Sequence, residues 1–299
     1  NGYYHLGECY LKTERKLQAL NAFKNASEMS FDVKIQEDAA LNYAKLSYEI
    51  GNSYQSVPDV LNGFITQYPK NANRTEIENL LINSFISSKN YKDALVLLEK
   101  NKSATNKSAY QKVTFYRGLE LFADANLKDA LTMFKKSINE PHDAKFSARA
   151  TFWKAETEFS LDNFNDALLS FKQFLGSAEA KNTIEFKNSN YNIAYCYFKL
   201  KEYDQAATFF QAHIDANKDD KTRLNDAYLR MADSRFVTTK YFPALEAYNK
   251  VIEAKSFDSD YASFQKAICY GFLSKNDQKI ESFTNFLKNY PKSQYRDDA

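Results

Sequence analysis

The sequence predicts an all-α fold built from about eight stacked helix pairs. Only 7 glycines and 5 prolines occur in 299 residues, which favours nearly continuous helix. Apolar residues recur with the spacing of one face of a helix. The same order of small and aromatic residues also returns every 35 to 39 residues. Self-similarity at such a period is typical of a helical solenoid.

The repeating unit is clearest over residues 191–210, YNIAYCYFKLKEYDQAATFF. A predicted first helix carries the small residue Ala194, and a predicted second helix carries Ala206, followed one turn later by Phe210. Small side chains let two helix axes approach closely, and the ring fills the gap that remains. The polar break KEYD joins the helices into an antiparallel pair. Neither helix can bury its apolar face alone, so the pair needs neighbours.

Counterparts of these three positions recur along the chain. The small position of the second helix holds Ala19, Val57, Ala94, Ala130, Ala167, Ala206, Ala244 and Lys279. The aromatic position four residues later holds Phe23, Leu61, Leu98, Phe134, Phe171, Phe210, Tyr248 and Phe283. The small position of the first helix holds Gly7, Ala44, Ile82, Gly118, Ala155, Ala194, Ala232 and Ala267. Val57, Ile82 and Lys279 depart from the pattern, so we expect looser packing in their repeats.

The first repeat carries a family pattern, because Tyr3, Leu6, Gly7, Tyr10, Ala19, Phe23 and Ala26 match the aromatic, Leu, Gly, Tyr, Ala, Phe, Ala order of the tetratricopeptide repeat (TPR). The chain resembles a TPR protein along nearly its whole length. The resemblance implies a right-handed α-α superhelical solenoid. The expected repeats are residues 1–35, 36–72, 73–106, 107–143, 144–180, 181–221, 222–257 and 258–292, with 293–299 starting a ninth. Since neither end reads as a polar capping repeat, we expect a part of a longer protein.

Residue types that carry catalysis or bind metals are scarce. Cys9, Cys196 and Cys269 occupy the same place in three distant repeats, so we interpret them as small apolar residues and not as a disulfide or zinc site. The three histidines fall at different places within the repeat, so spacing indicates no catalytic pair. There is no glycine-rich phosphate loop. We therefore predict a protein that is not an enzyme and holds no cofactor.

The charge balance argues against nucleic acid as a partner. The chain has 40 Lys and Arg against 38 Asp and Glu, a net charge of +2, whereas nucleic-acid-binding domains concentrate basic residues on one face. No run of 18 or more apolar residues occurs, so no transmembrane segment is predicted in this stretch.

The resemblance implies that the first helices line a concave groove, which we predict to be the binding surface for a protein or peptide. The predicted partner-binding residues are Phe115, Phe122, Phe152, Phe159, Tyr191, Tyr195, Phe198, Leu229, Phe236 and Phe264. We expect the residues three positions before the small residue to be the more exposed. For those four positions after it, packing against the neighbouring repeat and exposure in the groove remain open alternatives. Exposed aromatic residues in a groove are typical of docking sites.

A carboxylate clamp, the family's best-known ligand mode, is not expected. It needs Lys and Asn on successive first helices. The third repeat offers Asn79 and Asn83, but the next repeats hold Phe115, Leu119 and Glu156 where Lys or Arg is required.

These observations predict a non-catalytic scaffold that holds a protein or peptide partner in its groove. Residues 64–71 and 286–299 are similar to repeat ends of bacterial cell-envelope TPR proteins. Together with the richness in Asn, Lys, Tyr and Phe, they indicate a periplasmic protein of the Bacteroidota that belongs to an envelope or secretion assembly, with a cytoplasmic location left open. The alternatives are a structural spacer whose flanking domains bind or catalyse, and a peptide-sensing regulator.

Overall fold

A computed structural model describes residues 2–100 and 106–299. All regular structure in these residues is helical and none of it is strand, which confirms the predicted all-α fold. Residue 1 and residues 101–105, where the third expected repeat ends, lie outside the described part. The chain forms two compact units, one ending at Arg117 and the other comprising Gly118–Ala299.

Each unit is a stack of antiparallel helices. The helices up to the boundary are α1 Gly2–Lys12, α2 Lys16–Ser27, α3 Val33–Ile50, α4 Val57–Gln67, α5 Arg74–Ser87, α6 Tyr91–Lys100 and the first part of α7 Lys107–Ala123. The second unit continues with the end of α7, then α8 Leu127–Asn139, α9 Ala144–Ser160, α10 Phe164–Gly176, α11 Ser189–Lys199, α12 Tyr203–Ala216, α13 Lys221–Val237, α14 Tyr241–Ala254, α15 Ser259–Phe272 and α16 Asn276–Asn289. Within a unit each helix packs chiefly against the next one in the chain, as expected of a solenoid.

The small positions of the first helices receive the rings of the second helices. A Cβ atom on Gly118 would lie 2.6 Å from the ring of Phe134, and one on Gly7 would lie 2.9 Å from the ring of Phe23. Both rings are fully buried. In these two pairs the ring therefore lies directly against the backbone of the first helix, at a distance that leaves no room for a larger residue.

Within the described residues, seven connections between the helices of a pair share one conformation. Each is a three-residue turn whose middle residue is left-handed, with φ between 56° and 63°: Glu14, Lys89, Ala125, Asp162, Lys201, Thr239 and Ser274. The amide of the following residue donates to the carbonyl five residues earlier at 2.8 to 2.9 Å. This is the hydrogen bond of the Schellman motif, in which glycine is the usual left-handed residue.

The connection between α3 and α4 differs, because it is six residues long, 51–56. Val57, which the sequence alignment places at the small position, is therefore the first residue of α4 and is only partly buried. In the other second helices the small and aromatic positions are the fourth and eighth residues. In α4 these are Val60 and Phe64, both buried, so the alignment of this repeat shifts by three residues.

The cysteines confirm the sequence interpretation in two cases and correct it in the third. Cys196 and Cys269 are fully buried, and burial raises the pKa of both thiols to about 12. Cys9 is exposed, because among the described helices only α2 packs closely against α1. In the described part of the chain, no group of three or more His, Cys, Asp or Glu residues is placed to hold a metal ion. Nor does any helix there have the length and apolar character needed to cross a bilayer.

Residues 293–299, expected to begin a ninth repeat, form turns and irregular structure. The ring of Tyr295 stacks on Phe264 of α15 at 5.3 Å between centroids, and it lies 5.5 Å from the ring of Tyr261. Ser293 donates to Asp260 at 2.6 Å. This segment therefore packs on the first helix of the last pair.

Replacing Gly118 by Val should destabilise the protein. The branched side chain would collide with the ring of Phe134, and overpacking of this kind costs about 1 to 3 kcal/mol. Gly63→Val is the matched control, because a Cβ at Gly63 meets no atom within 4 Å. Urea denaturation followed by circular dichroism measures both. Equal midpoints for the two variants would contradict the proposed close contact.

Replacing Thr239 by Gly should stabilise the protein by up to about 1 kcal/mol. Thr239 is a β-branched residue held at φ 60°, where glycine carries no steric penalty. The neighbouring Thr238→Gly change is the control, because Thr238 has φ −88° and should gain nothing. Thermal denaturation compares the two, and a lower melting temperature for Thr239→Gly would contradict this account of the turn.

Candidate functional site

The strongest candidate site is a cleft on the first helices α9 and α11 of the second unit. It has a volume of about 230 Å³ and is lined by Glu156, Phe159, Phe171, Tyr191, Asn192 and Tyr195. We call it the Glu156 cleft. The helical period places Glu156 and Phe159 on one side of α9, and Tyr191 and Tyr195 on one side of α11. Three of these residues, Phe159, Tyr191 and Tyr195, were predicted from the sequence to bind a partner.

A larger hollow, of about 380 Å³, lies beside α1 in the other unit. Its wall includes the exposed apolar side chains of Tyr3, Leu6 and Phe31. The carboxylate in this wall, Asp32, already accepts hydrogen bonds from the first turn of α3. The hollow therefore presents mainly apolar surface. The Glu156 cleft combines aromatic rings with a carboxylate that has no ion-pair or hydrogen-bond partner among the described residues.

The residues three positions before the small residue are not the exposed ones, and this expectation is wrong. Phe115, Phe152 and Leu229 are 0, 4 and 1% exposed. Phe152 packs edge-on against Phe171 and Phe174 of α10, with centroid distances of 5.4 and 5.3 Å. These three side chains are core residues, so Phe115, Phe152 and Leu229 are not available to a partner.

Phe264, at the same position of the last pair, is partly exposed but covered on several sides. Its ring lies 5.6 Å from that of Phe283 and 5.9 Å from that of Phe286, besides the stack with Tyr295. Tyr191 is the member of this set that lies in a cleft, and it is half-buried.

The rings four positions after the small residue are partly exposed. They are Phe122, Phe159, Phe198 and Phe236. The last three pack edge-on against the first residue of their own second helix: Phe159 on Phe164 at 5.2 Å, Phe198 on Tyr203 at 5.5 Å and Phe236 on Tyr241 at 5.6 Å. Phe122 packs edge-on against Trp153 at 5.3 Å. Phe122 therefore packs against the neighbouring repeat, as Phe236 does through Phe272 at 5.7 Å, whereas Phe159 and Phe198 pack within their own helix pair. All four rings are also partly exposed.

A network of tyrosines, aspartates and one arginine borders the cleft. Tyr191 and Tyr195 both donate to Asp226 Oδ2 of α13, Tyr191 at 2.8 Å. Asp226 Oδ1 lies 3.5 Å from Arg230 Nε, and Arg230 Nη1 donates to Asp233 Oδ2 at 2.9 Å. Burial and hydrogen bonding to Asp226 raise the pKa of Tyr195 to about 12. The two cleft tyrosines are thereby held in place as neutral hydrogen-bond donors.

The network continues away from the cleft. Asp233 Oδ1 accepts hydrogen bonds from Tyr248 at 2.8 Å and from Tyr261 at 3.1 Å. The whole network therefore connects four helices, α11, α13, α14 and α15. Asp226, Arg230 and Asp233 were not among the site residues predicted from the sequence. Their spacing of four and then three residues places all three on one face of α13, which was the available signal.

Glu156 stands outside this network. Its carboxylate makes no hydrogen bond or ion pair with any residue of the described part of the chain. Burial raises the pKa of Glu156 to about 7, an effect that Arg223 partly opposes. Arg223 does not reach the carboxylate, since its Nη1 donates to Asn188 and to Asp220, both at 3.2 Å. The Glu156 cleft thus contains a poorly solvated, unpaired carboxylate.

Sequence comparison supports the TPR resemblance over part of the chain. Residues 189–215 and 261–293 match the family model of the tetratricopeptide repeat. The two segments contain α11 with most of α12, and α15 with α16. No curated protein matches the chain in sequence.

Solved structures with a similar fold include TPR proteins. One is MamA, with 20% identity, a TM-score of 0.52, and coverage of 62% of this chain and 94% of that one. Another is YrrB, described as a TPR protein with an unusual peptide-binding site, with 16% identity, a TM-score of 0.54, and coverage of 70 and 96%. A third is the C-terminal part of a TPR repeat-containing protein from Cytophaga hutchinsonii, with 17% identity, a TM-score of 0.52, and coverage of 86 and 97%. These similarities establish the α-α solenoid fold.

The raised pKa of Glu156 should make the folded protein less stable as the pH rises. Its folded pKa lies above the ordinary value of 4.5, so the folded state binds the proton more tightly than the unfolded state between pH 4.5 and 7. Glu156→Gln should therefore gain stability relative to the natural protein above pH 7, by on the order of 2 kcal/mol. Urea denaturation at pH 5 and pH 8 measures this difference.

Glu281→Gln is the control for this prediction, because Glu281 is an exposed residue of α16. Its stability should follow that of the natural protein at both pH values. If Glu156→Gln also followed the natural protein at both values, the carboxylate would not be poorly solvated in the folded state.

Proposed function

We propose that the chain is a non-catalytic interaction module that binds a segment of a protein partner along the first helices of the second unit. The observation that carries this proposal is the Glu156 cleft. It combines partly exposed rings with polar groups that have no hydrogen-bond partner among the residues that the structure describes. Such a combination is typical of a docking site, where apolar contacts supply affinity and a few polar groups fix orientation.

The size of the cleft favours a polypeptide ligand. Its volume of about 230 Å³ is below the roughly 300 to 1,000 Å³ of ordinary small-molecule sites. It suits a single side chain of a longer segment. The accessible rings of Phe198 and Phe236, on α11 and α13, provide further contacts for that segment.

The tyrosine and aspartate network favours binding over catalysis. Tyr191, Tyr195, Asp226 and Asp233 are hydrogen-bonded to one another or to Arg230. Groups satisfied in this way hold the cleft walls in one arrangement. A surface that is ordered before binding loses less conformational entropy when the partner arrives.

We also propose that the module acts on the periplasmic side of a bacterial cell envelope, in a secretion-type assembly. The support is the similarity of residues 64–71 and 286–299 to repeat ends of envelope TPR proteins. Fractionation of the native cell tests the location, and recovery with cytoplasmic markers would contradict it.

Replacing Phe159 by Ala should weaken binding of the partner about 10- to 30-fold, because an aromatic anchor of a docking site contributes on the order of 2 kcal/mol. The measurement is cross-linking of the tagged full-length protein in its native cell, followed by quantitative mass spectrometry. Partners should be lost from Phe159→Ala samples and kept in Phe242→Ala samples.

Phe242 is the matched control because it is 56% exposed on α14 and lies outside the cleft. Circular dichroism of both variants checks that they are folded. A partner profile of folded Phe159→Ala identical to that of the natural protein would overturn the proposed binding surface.

A further inference from the structure

We propose that the Glu156 cleft is a specificity pocket for a basic side chain, lysine or arginine, of the bound segment. This inference rests on the proposed function and deepens it, because it names the residue type that a partner must present. It is argued from the balance of donors and acceptors in the cleft, from the cleft walls, and from the cost of the alternatives.

Among the described residues, the unused acceptors of the cleft are the carboxylate of Glu156 and the side-chain oxygen of Asn192, and its unused donor is the side-chain nitrogen of Asn192. The hydroxyl groups of Tyr191 and Tyr195 donate hydrogen bonds to Asp226. The carboxylate of Glu156 and the side-chain amide of Asn192 make no hydrogen bond to any residue that the structure describes. Lysine brings three donors and arginine five, and neither brings an acceptor. A basic side chain can therefore donate to the carboxylate of Glu156 and to the side-chain oxygen of Asn192.

Arg223, the cation whose field acts on Glu156, does not replace the missing partner. Its guanidinium is held by Asn188 and Asp220 at 3.2 Å, with its central carbon 5.9 Å from the centroid of the Tyr191 ring. It lowers the pKa of Glu156 only in part and leaves it at about 7. The direct ion pair at this carboxylate is thus left for a ligand to make.

The aromatic walls suit a long cationic side chain. Phe159, Phe171, Tyr191 and Tyr195 line the cleft around the carboxylate. Rings of this kind cover the methylene groups of a lysine or arginine stem. Their faces also attract the charged head when it lies within about 6 Å of the ring centroid.

Other side chains fit the cleft less well. An acidic residue would meet the carboxylate of Glu156, with Asp226 on the adjacent helix. An apolar residue would remove the remaining water from Glu156 without offering a hydrogen bond, which leaves a buried charge unpaired or forces its protonation. A basic residue avoids both costs.

Binding of a cation should be linked to loss of a proton. With a pKa of about 7, Glu156 is protonated in a large fraction of molecules at pH 6, and the cation requires the ionised form. Affinity should therefore rise between pH 6 and pH 8. Among the groups near Glu156 on neighbouring helices, the pKa values of Cys196 and Tyr195 are raised to about 12 and that of Tyr191 is raised further, so these three do not titrate in this interval. Burial lowers the pKa of His213, which lies beside Tyr191, toward the acid side of the interval.

The experiment is selection of a phage-displayed random dodecapeptide library on the intact 299-residue chain at pH 8. The enriched peptide is then synthesised twice, once as selected and once with its basic residue replaced by the neutral isostere, citrulline for arginine or norleucine for lysine. Fluorescence anisotropy gives the dissociation constants. The natural chain should prefer the basic peptide at least 10-fold, and Glu156→Gln should reduce this preference to about 2-fold or less.

Glu281→Gln is again the control and should keep the full preference. The affinity of the natural chain for the basic peptide should also rise several-fold from pH 6 to pH 8, and that of Glu156→Gln should not. Circular dichroism establishes that each variant is folded.

The outcomes separate this inference from the function on which it rests. Enriched peptides without a common basic residue, or an equal preference in folded Glu156→Gln, would overturn the specificity pocket while leaving a peptide-binding module. Failure to enrich any peptide above a Phe159→Ala chain would overturn the proposed function and the pocket together.

Discussion

The structure depends on one repeated contact, the ring of a second helix against the small residue of the first. At Gly118 and Gly7 the ring touches the backbone itself. This contact sets how closely the two axes approach, and thereby which neighbouring positions point inward. Around Ala155, the residue three positions earlier, Phe152, turns into the core, while Glu156 and Phe159, one and four positions later, line the cleft. The candidate site is a consequence of the packing rule.

Much of the fold was predictable because helix pairs of nearly constant length place small and aromatic residues at a regular period in the sequence. The exception is the pair of α3 and α4, where a longer connection shifts the alignment from Val57 to Val60. For the site, the sequence predicted Phe159, Tyr191 and Tyr195, whose positions follow from helical periodicity. It could not predict which rings are buried, because exposure depends on the distance between helix axes. Nor could it predict that two tyrosines of α11 donate to the same aspartate of α13, Asp226.

The acidic side chains of the second unit that are poorly exposed to solvent fall into two kinds, those with hydrogen-bond partners among the described residues and one without. In the tyrosine and aspartate network, each acid is bonded to tyrosine hydroxyls and to Arg230, as stable interiors require. Glu156, in the same unit, has no such partner within the described part of the chain. Natural proteins usually break the rules of polar satisfaction at functional sites and compensate elsewhere. This contrast between neighbouring acids is the physical basis for regarding Glu156 as a recognition residue.

The seven equivalent turns have a consequence for how the array can change in evolution. Their left-handed residue is Glu, Lys, Ala, Asp, Thr or Ser, and never glycine. The conformation of the turn is therefore imposed by the two helices that it joins and not by the residues of the turn itself. If a helix pair were duplicated or deleted between two such turns, the remaining pairs would be joined with the same geometry, whatever the residues of the turns. The six-residue connection after α3 has a different geometry and cannot be exchanged in this way. We therefore expect related proteins to retain the α3–α4 pair and to differ in the number of the other helix pairs.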